Sequence, residues 1–171
     1  IWSEFVVMTI ACFMTGAVAH PIAMSYEEKE LIRSMNLTES KVYFGPSFFH
    51  KTDYASRILA VRERIPSLSC VVIVGGEKPE GNGVLAFTEI MDQADTEKPE
   101  IRRTGEDLAL ILCTSGTTSG TKGVLLTHNN IRYSEEVFTR ELGLTCEDIM
   151  FMPAPLNHAT GFHHGLITPM L

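Results

Sequence analysis

Positive charge is scarce in this 171-residue sequence. Lys and Arg together number 14 against 21 Asp and Glu, which gives a formal net charge of −7. A surface that binds nucleic acid needs clustered Lys and Arg to replace the counterions of the phosphates. The sequence has no such basic stripe, so we expect small molecules rather than nucleic acid as partners.

Paired cysteine spacing is absent as well. The cysteines lie far apart, mostly within apolar runs, at Cys12, Cys70, Cys113 and Cys146. A disulfide framework or a zinc site usually shows close, repeated Cys or His spacing, so neither is indicated. We therefore predict buried, reduced thiols and a cytoplasmic protein, and the sequence identifies no metal ligands.

No apolar stretch has the length of a typical membrane span. The longest candidate, Phe5–Ala19, is shorter than the roughly 20 residues that cross a bilayer as a helix. Its end "AVA" is similar to a signal-peptidase site, but Glu4 stands where a basic leader would be. We predict a buried core helix here and no transmembrane segment, which leaves peripheral membrane contact open.

Short apolar runs alternate with amphipathic segments along the chain. Strands are predicted at "KVYFG" (Lys41–Gly45), "LSCVVIVGGE" (Leu68–Glu77) and "LALILC" (Leu108–Cys113). After the helix at the start of the chain, a second helix is predicted from a capping box at Ser25 and Glu28, and a third between Asp53 and Pro66. Because strands and helices alternate, the predicted fold class is α/β, with layered βαβ units and a mostly parallel sheet.

A short strand is predicted in "VLLTHNN" (Val124–Asn130), and a fourth helix follows it. Thr127, Asn129 and Asn130 are all residues that can cap a helix N-terminus. One face of this helix is expected to carry Ile131, Ser134, Val137, Phe138 and Leu142. The helix would hold the C-terminal end of the loop that precedes it.

That loop combines glycines, hydroxyl groups and a single lysine. It reads "CTSGTTSGTKG" (Cys113–Gly123) and directly follows a predicted buried strand. Glycines allow close backbone approach, hydroxyls add donors and Lys122 adds a cation, as a polyphosphate site requires. Gly, Ser and Thr are also the residues of an inert surface turn. The P-loop pattern does not fit, because Thr121 stands at its second glycine and Gly123 follows Lys122.

The run resembles the phosphate-binding signature of the adenylate-forming enzymes, which include acyl-CoA synthetases, peptide-synthetase adenylation domains and luciferases. The signature reads Thr-Ser-Gly-Thr-Thr-Gly-x-Pro-Lys-Gly. The matching positions are Thr114, Ser115, Gly116, Thr117, Thr118, Lys122 and Gly123. Ser119 replaces a glycine and Thr121 replaces the proline, so Gly120 is expected to take the turn one residue later. The resemblance implies that residues 114–123 bind the phosphates of ATP.

A second segment agrees with the first. "MPAPLNHATGFHHG" (Met152–Gly165) resembles the family's Pro-Leu-x-His motif, whose histidine lies near the acyl and phosphate groups. The resemblance thus implies a functional role for His158, whereas an ordinary structural histidine is the alternative. His163 and His164 are expected to be structural residues at a helix start. Over nearly the whole chain, the likeness is to bacterial short- and medium-chain fatty-acid–CoA ligases.

The resemblance implies two half-reactions for the parent protein. A fatty-acid carboxylate attacks the α-phosphate of ATP to give acyl-adenylate and pyrophosphate, and the thiol of coenzyme A then displaces AMP. Lys122 and Thr114–Thr118 would stabilise the departing pyrophosphate together with Mg²⁺. The alternatives are a family member that activates an aryl or amino acid, and an inert α/β piece that binds no nucleotide.

The chain is also expected to be part of a longer protein. It begins with Ile1 rather than Met and ends in the apolar segment "LITPML". The family's acidic Mg²⁺ ligand, its adenine and ribose contacts and its late lysine have no counterpart here. We therefore expect residues 1–171 to be part of the N-terminal AMP-binding domain, without the C-terminal domain and inactive by themselves.

Overall fold

A computed structural model describes residues 3–93, 100, 103–114 and 121–171. The helices are α1 (Ser3–Thr15), α2 (Glu28–Leu37), α3 (Tyr54–Val61), α4 (Phe87–Asp92), α5 (His128–Leu142) and α6 (Ala159–Phe162). The strands are β1 (Val42–Pro46), β2 (Phe48–Phe49), β3 (Thr52–Asp53), β4 (Cys70–Val74), β5 (Val84–Ala86), β6 (Leu108–Thr114) and β7 (Lys122–Thr127). A π-helical turn, His163–Ile167, follows α6.

The chain divides into two compact units. Residues 25–98 form one, which we call the parallel-sheet unit, and residues 1–24 with 99–171 form the other, the hairpin unit. Within the described ranges of both units, no helix combines the length and apolarity needed to cross a bilayer.

The parallel-sheet unit confirms the predicted βαβ pattern. Its strands lie in the order β1-β4-β5, and both neighbouring pairs are parallel. The helix between β1 and β4 is α3, which begins where Asp53 Oδ1 accepts a hydrogen bond of 2.8 Å from the Ser56 amide. It buries Ala55, Ile58 and Val61 at helical spacing. This crossover allows the two strands to run parallel.

The capping box of α2 lies later than the sequence predicted. Glu27 is the N-cap, and its amide donates to Glu30 Oε2 at 3.0 Å, so Ser25 and Glu28 do not form the box. The helix is then placed so that Leu31 and Met35 are buried. Burial of this pair, four residues apart on one face, accounts for the start of the helix at Glu28.

The hairpin unit departs from the parallel pattern. β6 and β7 are antiparallel, and residues 115–121 connect them. A connection of this length is too short for the crossover that a parallel pair needs. On its other side β6 is flanked by Ala19, whose amide donates to the Ala109 carbonyl at 2.9 Å and whose carbonyl accepts from the Ile111 amide at 2.9 Å.

The core of the hairpin unit lies between β6, α5 and the C-terminal segment. Its buried residues are Ala19, Ala109, Leu110, Leu112, Ile131, Leu156, Phe162, Leu166 and Ile167. The prediction of a buried helix at the start of the chain is only partly right. Phe5 and Phe13 of α1 pack against this core, but Val7 and Met14 are exposed, because the helix is apolar around its whole circumference while one face meets the core.

The predicted face of α5 is wrong at two positions. Ser134 and Leu142 are exposed, whereas the buried residues are Ile131 and Glu135. The predicted cap is correct, since Thr127 Oγ1 accepts a hydrogen bond of 3.1 Å from the Asn130 amide. A carboxylate at a core position was not expected, and its partners are described below.

The cysteine prediction is also corrected in part. All four are reduced thiols, but Cys146 is exposed and Cys12, Cys70 and Cys113 are only partly buried. Burial raises the pKa of the Cys12 thiol. Cys146 lies in the polar turn after α5, where no core is available to cover it.

Candidate nucleotide-binding site

The described residues of the predicted phosphate loop lie at the end of the β6–β7 pair where the two strands are connected. Thr114 is opposite Lys122 and Cys113 is opposite Gly123 in the antiparallel register, with Thr121 immediately before the pair. The loop's other predicted residues lie outside the described part of the chain: Ser115, Gly116, Thr117, Thr118, Ser119 and Gly120. Both ends of the loop are therefore held by one set of strand hydrogen bonds.

Lys122 presents a cation at this end of the strand pair. Its side chain is exposed, and within the described residues no carboxylate lies at ion-pair distance from it. The neighbouring Thr114 is exposed too, so its hydroxyl can donate to a bound group. A cation beside hydroxyl donors can hold phosphate oxygens by charge-assisted hydrogen bonds.

His20 packs against the strand that leads into the loop. Its Nδ1 lies 3.1 Å from the Ile111 carbonyl oxygen, and its Nε2 lies 3.9 Å from Cys113 Sγ. Burial lowers the pKa of His20, and its hydrogen bond to the Ile111 carbonyl opposes that effect only in part. Because a carbonyl oxygen only accepts, His20 Nδ1 donates, and this hydrogen bond joins His20 to β6 three residues before Thr114. Sequence reasoning missed His20, because only the pairing of Ala19 with β6 brings it here.

His158 lies on a separate segment that packs on the same core. It is the N-cap of α6, where its amide donates to the Pro155 carbonyl at 3.0 Å and its carbonyl accepts from the Phe162 amide at 2.8 Å. The imidazole is exposed, and among the described residues no hydrogen bond joins it to the β6–β7 pair. Leu156 and Phe162, on either side, anchor the segment in the core.

A buried carboxylate lies between α5 and the segment that follows His158. Glu135 is 0% exposed. Its Oε1 accepts from His163 Nδ1 at 3.1 Å and from Ser134 Oγ at 3.0 Å. Its Oε2 accepts from His164 Nδ1 at 2.8 Å and from Thr168 Oγ1 at 2.6 Å. Each oxygen thus receives two donors, which is the full capacity of an ionised carboxylate.

Hydrogen bonding outweighs the effect of burial on the pKa of Glu135. Burial raises the pKa of Glu135, but the hydrogen bonds from Thr168, His164 and Ser134 and the charge of His164 lower it, and the result lies below the ordinary value. His163 and His164 are the first two residues of the π-helical turn, which agrees with their predicted place at a helix start. Glu135 lies four residues after Ile131 on the same helix face, but that spacing does not distinguish it from a solvent-exposed carboxylate.

No metal centre is visible in the part of the chain that the structure describes. Within those ranges, no group of three or more His, Cys, Asp or Glu side chains has an arrangement that could hold a metal ion. His163 and His164 share the Glu135 carboxylate, and among the described residues no hydrogen bond joins His158 to them. The exposed ammonium of Lys122 is suited to an anionic ligand.

Comparisons with known proteins agree on one family. The family description "AMP-binding enzyme" matches residues 2–171. The medium-chain fatty-acid–CoA ligase of Escherichia coli (strain K12) is 39% identical over 170 residues, covering 99% of this chain and 30% of that protein. The luciferin 4-monooxygenase of Photuris pensylvanica is 27% identical over 174 residues, covering 95% of this chain and 29% of that protein.

The fold has a close match among solved structures. An anthranilate–CoA ligase crystallised with anthranoyl-AMP superposes with a TM-score of 0.88 at 24% identity, covering 98% of this chain and 31% of that one. The chain therefore spans less than a third of the length of these three proteins.

Proposed function

Because the chain belongs to the AMP-binding enzyme family, we propose that it is part of a ligase that joins a fatty acid to coenzyme A at the expense of ATP. In this proposal residues 1–171 are a portion of the N-terminal AMP-binding domain, and residues 114–123 hold the phosphates of ATP. The observation that carries it is the antiparallel pair of Thr114 and Lys122, which closes the signature loop with an exposed cation at its base.

The proposed chemistry assigns separate tasks to the two site segments. When a carboxylate attacks the α-phosphate, negative charge builds on the departing pyrophosphate. Lys122 and the hydroxyls and amides of residues 114–121 would stabilise that charge. His158 would lie beside the carboxylate and the α-phosphate, where its ring orients the reacting acid. The acyl-adenylate then reacts with the thiol of coenzyme A.

In this proposal Mg²⁺ binds to the phosphates of ATP. The described residues offer no carboxylate cluster for it, so no described side chain is assigned as its ligand. Mg²⁺ ordinarily neutralises charge on the transferred phosphates. We also propose a cytoplasmic location, with contact at membrane surfaces confined to delivery of the fatty acid.

A medium-length fatty acid is the preferred substrate in this proposal. It is supported by the 39% identity to the medium-chain fatty-acid–CoA ligase, against 27% to the luciferin 4-monooxygenase. An aryl or amino acid is the alternative substrate.

The test is acid-dependent exchange of labelled pyrophosphate into ATP by the complete protein. A panel of saturated acids of increasing length, a benzoate and an amino acid should give the highest rate with a medium-length fatty acid. A highest rate with benzoate would contradict the proposed fatty-acid substrate but would still support adenylation as the reaction. No exchange with any acid, together with no thermal stabilisation by ATP and magnesium, would contradict the function itself.

A further inference from the structure

The Glu135 carboxylate joins two segments of the hairpin unit. One is α5, which begins at His128 directly after β7, the strand whose first residue is Lys122. The other is the π-helical turn His163–Ile167, in which both histidines donate to Glu135, followed by Thr168, which donates as well. The carboxylate therefore lies where α5, which follows the strand of Lys122, meets the turn that follows the helix capped by His158.

Only α6 separates His158 from the two histidines that donate to Glu135. Helix α6 has four residues, and its N-cap His158 is tied to Phe162 by the hydrogen bond from the Phe162 amide. The next two residues are His163 and His164. A shift of these two rings would therefore move α6, and with it the backbone that carries the His158 imidazole.

The hydrogen bonds to Glu135 fix the orientation of the π-helical turn on α5 as well as its distance from the helix. Apolar contacts tolerate sliding, but a carboxylate with two donors on each oxygen has one arrangement that satisfies all of them. Phe138, one turn further along α5, stacks on the His164 ring at 3.8 Å between centroids with an interplanar angle of 18°. The His164 ring is thus fixed by a hydrogen bond at its edge and by an aromatic ring on its face.

We propose that Glu135 is a positioning residue for His158. By fixing His163, His164 and Thr168 against α5, it sets where the His158 segment lies relative to the strand pair that carries Lys122. This inference rests on the proposed function of His158 in acid activation. Glu135 itself would touch neither substrate nor nucleotide.

The test is a double-mutant cycle in the complete protein. Glu135→Gln keeps the shape of the side chain but replaces an oxygen that accepts two hydrogen bonds with an amide nitrogen that donates. Its neighbour Glu136 is the matched control, because it is half-exposed and pairs with Arg132 on the same helix. We expect Glu135→Gln to lower kcat for acid-dependent exchange by about tenfold to a hundredfold, as misplacement of a catalytic group does, with KM for ATP changed less than twofold. Glu136→Gln should leave both unchanged.

The decisive readout is the combination with His158→Ala. If Glu135 acts through His158, Glu135→Gln should have little further effect once His158 is alanine, and the double variant should match the single His158 variant. Multiplying effects would overturn the inference while leaving the proposed function intact. Wild-type rates for His158→Ala would instead remove the proposed role of His158, and the inference with it.

A milder variant covers the case in which Glu135→Gln does not fold. Thr168→Val removes one of the four donors and leaves the carboxylate with three. It should lower kcat in the same direction by a smaller factor, again only when His158 is present. An equal effect of Thr168→Val with and without His158 would overturn the inference.

Discussion

Lys122 is the residue on which the proposed chemistry most depends. Its exposed ammonium has no carboxylate partner within the described residues, so nothing there neutralises it before a phosphate binds. We predict that Lys122→Ala lowers the rate of acid-dependent pyrophosphate exchange by about a hundredfold to a thousandfold, the usual cost of losing a donor to developing charge. Thr117→Ala should act in the same direction.

The matched control for Lys122 is Lys29, an exposed lysine on α2. Lys29→Ala should exchange at the wild-type rate. Thermal unfolding of each variant without nucleotide separates loss of activity from loss of folding. Exchange by Lys122→Ala within twofold of wild type would count against a phosphate-binding role.

Glu135 gives the protein an acid-sensitive contribution to stability. Its pKa in the folded protein lies below the ordinary value of about 4.3, so the unfolded chain takes up a proton at higher pH than the folded one. The contribution is therefore complete above about pH 4.3 and is lost as the pH falls through the lower, folded pKa. The titratable groups that face the carboxylate are His163 and His164, while Arg132 and Glu136 on its own helix pair with each other.

Urea unfolding at a series of pH values measures this contribution. The free energy of unfolding of wild type should fall more steeply below about pH 4.3 than that of Glu135→Gln. At neutral pH the variant should be less stable by about 1–3 kcal/mol for each donor left without an acceptor. Parallel pH curves for the two proteins would contradict the assignment of a charged, hydrogen-bonded Glu135.

At the residue scale, sequence reasoning reached the loop and His158 but neither His20 nor Glu135. The loop could be found because its residue types have a local chemical pattern. Glu135 could not, because a buried charge depends on donors 28 to 33 residues away in the chain. His20 reaches β6 only through tertiary pairing, with Ile111 91 residues away.

At the element scale, α6 depends on the absence of a side chain at Gly161. A Cβ atom there would meet the backbone carbonyl oxygens of Pro155 and, at 2.6 Å, Ala154. A flexible side chain could change rotamer to relieve this clash, but these backbone atoms cannot. We therefore predict that Gly161→Ala destabilises the protein by about 1–3 kcal/mol. It should also displace His158 and lower the exchange rate.

Thr160→Ala is the control for this helix, because Thr160 is the exposed neighbour of Gly161. Its midpoint of thermal unfolding should stay close to that of wild type. A Gly161→Ala protein with unchanged stability and exchange rate would show that the segment adapts without cost.

The elements themselves were largely predictable, and their pairing less so. β4 lies within its predicted run, and β1 and β6 each extend one residue beyond theirs, to Pro46 and Thr114. Asp53 caps α3 as expected, and Thr127, one of three candidate residues, caps α5. Apolar periodicity and capping residues are local signals, which a sequence carries directly. β7 runs antiparallel to β6 because the loop between them is too short for a crossover. The order of strands and helices along the sequence does not by itself predict this direction.

At the scale of the whole molecule, the chain shows apolar surface on the hairpin unit. Leu125 of β7 is 63% exposed, and Ile149 and Phe151 are 98% and 87% exposed. The three proteins compared above are more than three times as long as this chain. We predict that residues 1–171 expressed alone bind a hydrophobic dye more strongly per residue than the complete protein does. Equal dye binding by the two would show that these side chains stay exposed in the complete protein.

The central claim is that residues 114–123 hold the β- and γ-phosphates of ATP. A crystal structure of the complete protein with a non-hydrolysable ATP analogue and magnesium tests it most directly. We predict that Lys122 Nζ and several amides and hydroxyls of residues 114–121 lie about 2.7–3.2 Å from phosphate oxygens. A bound analogue whose phosphates contact other residues, with the Lys122 side chain and the loop amides directed to solvent, would contradict the account.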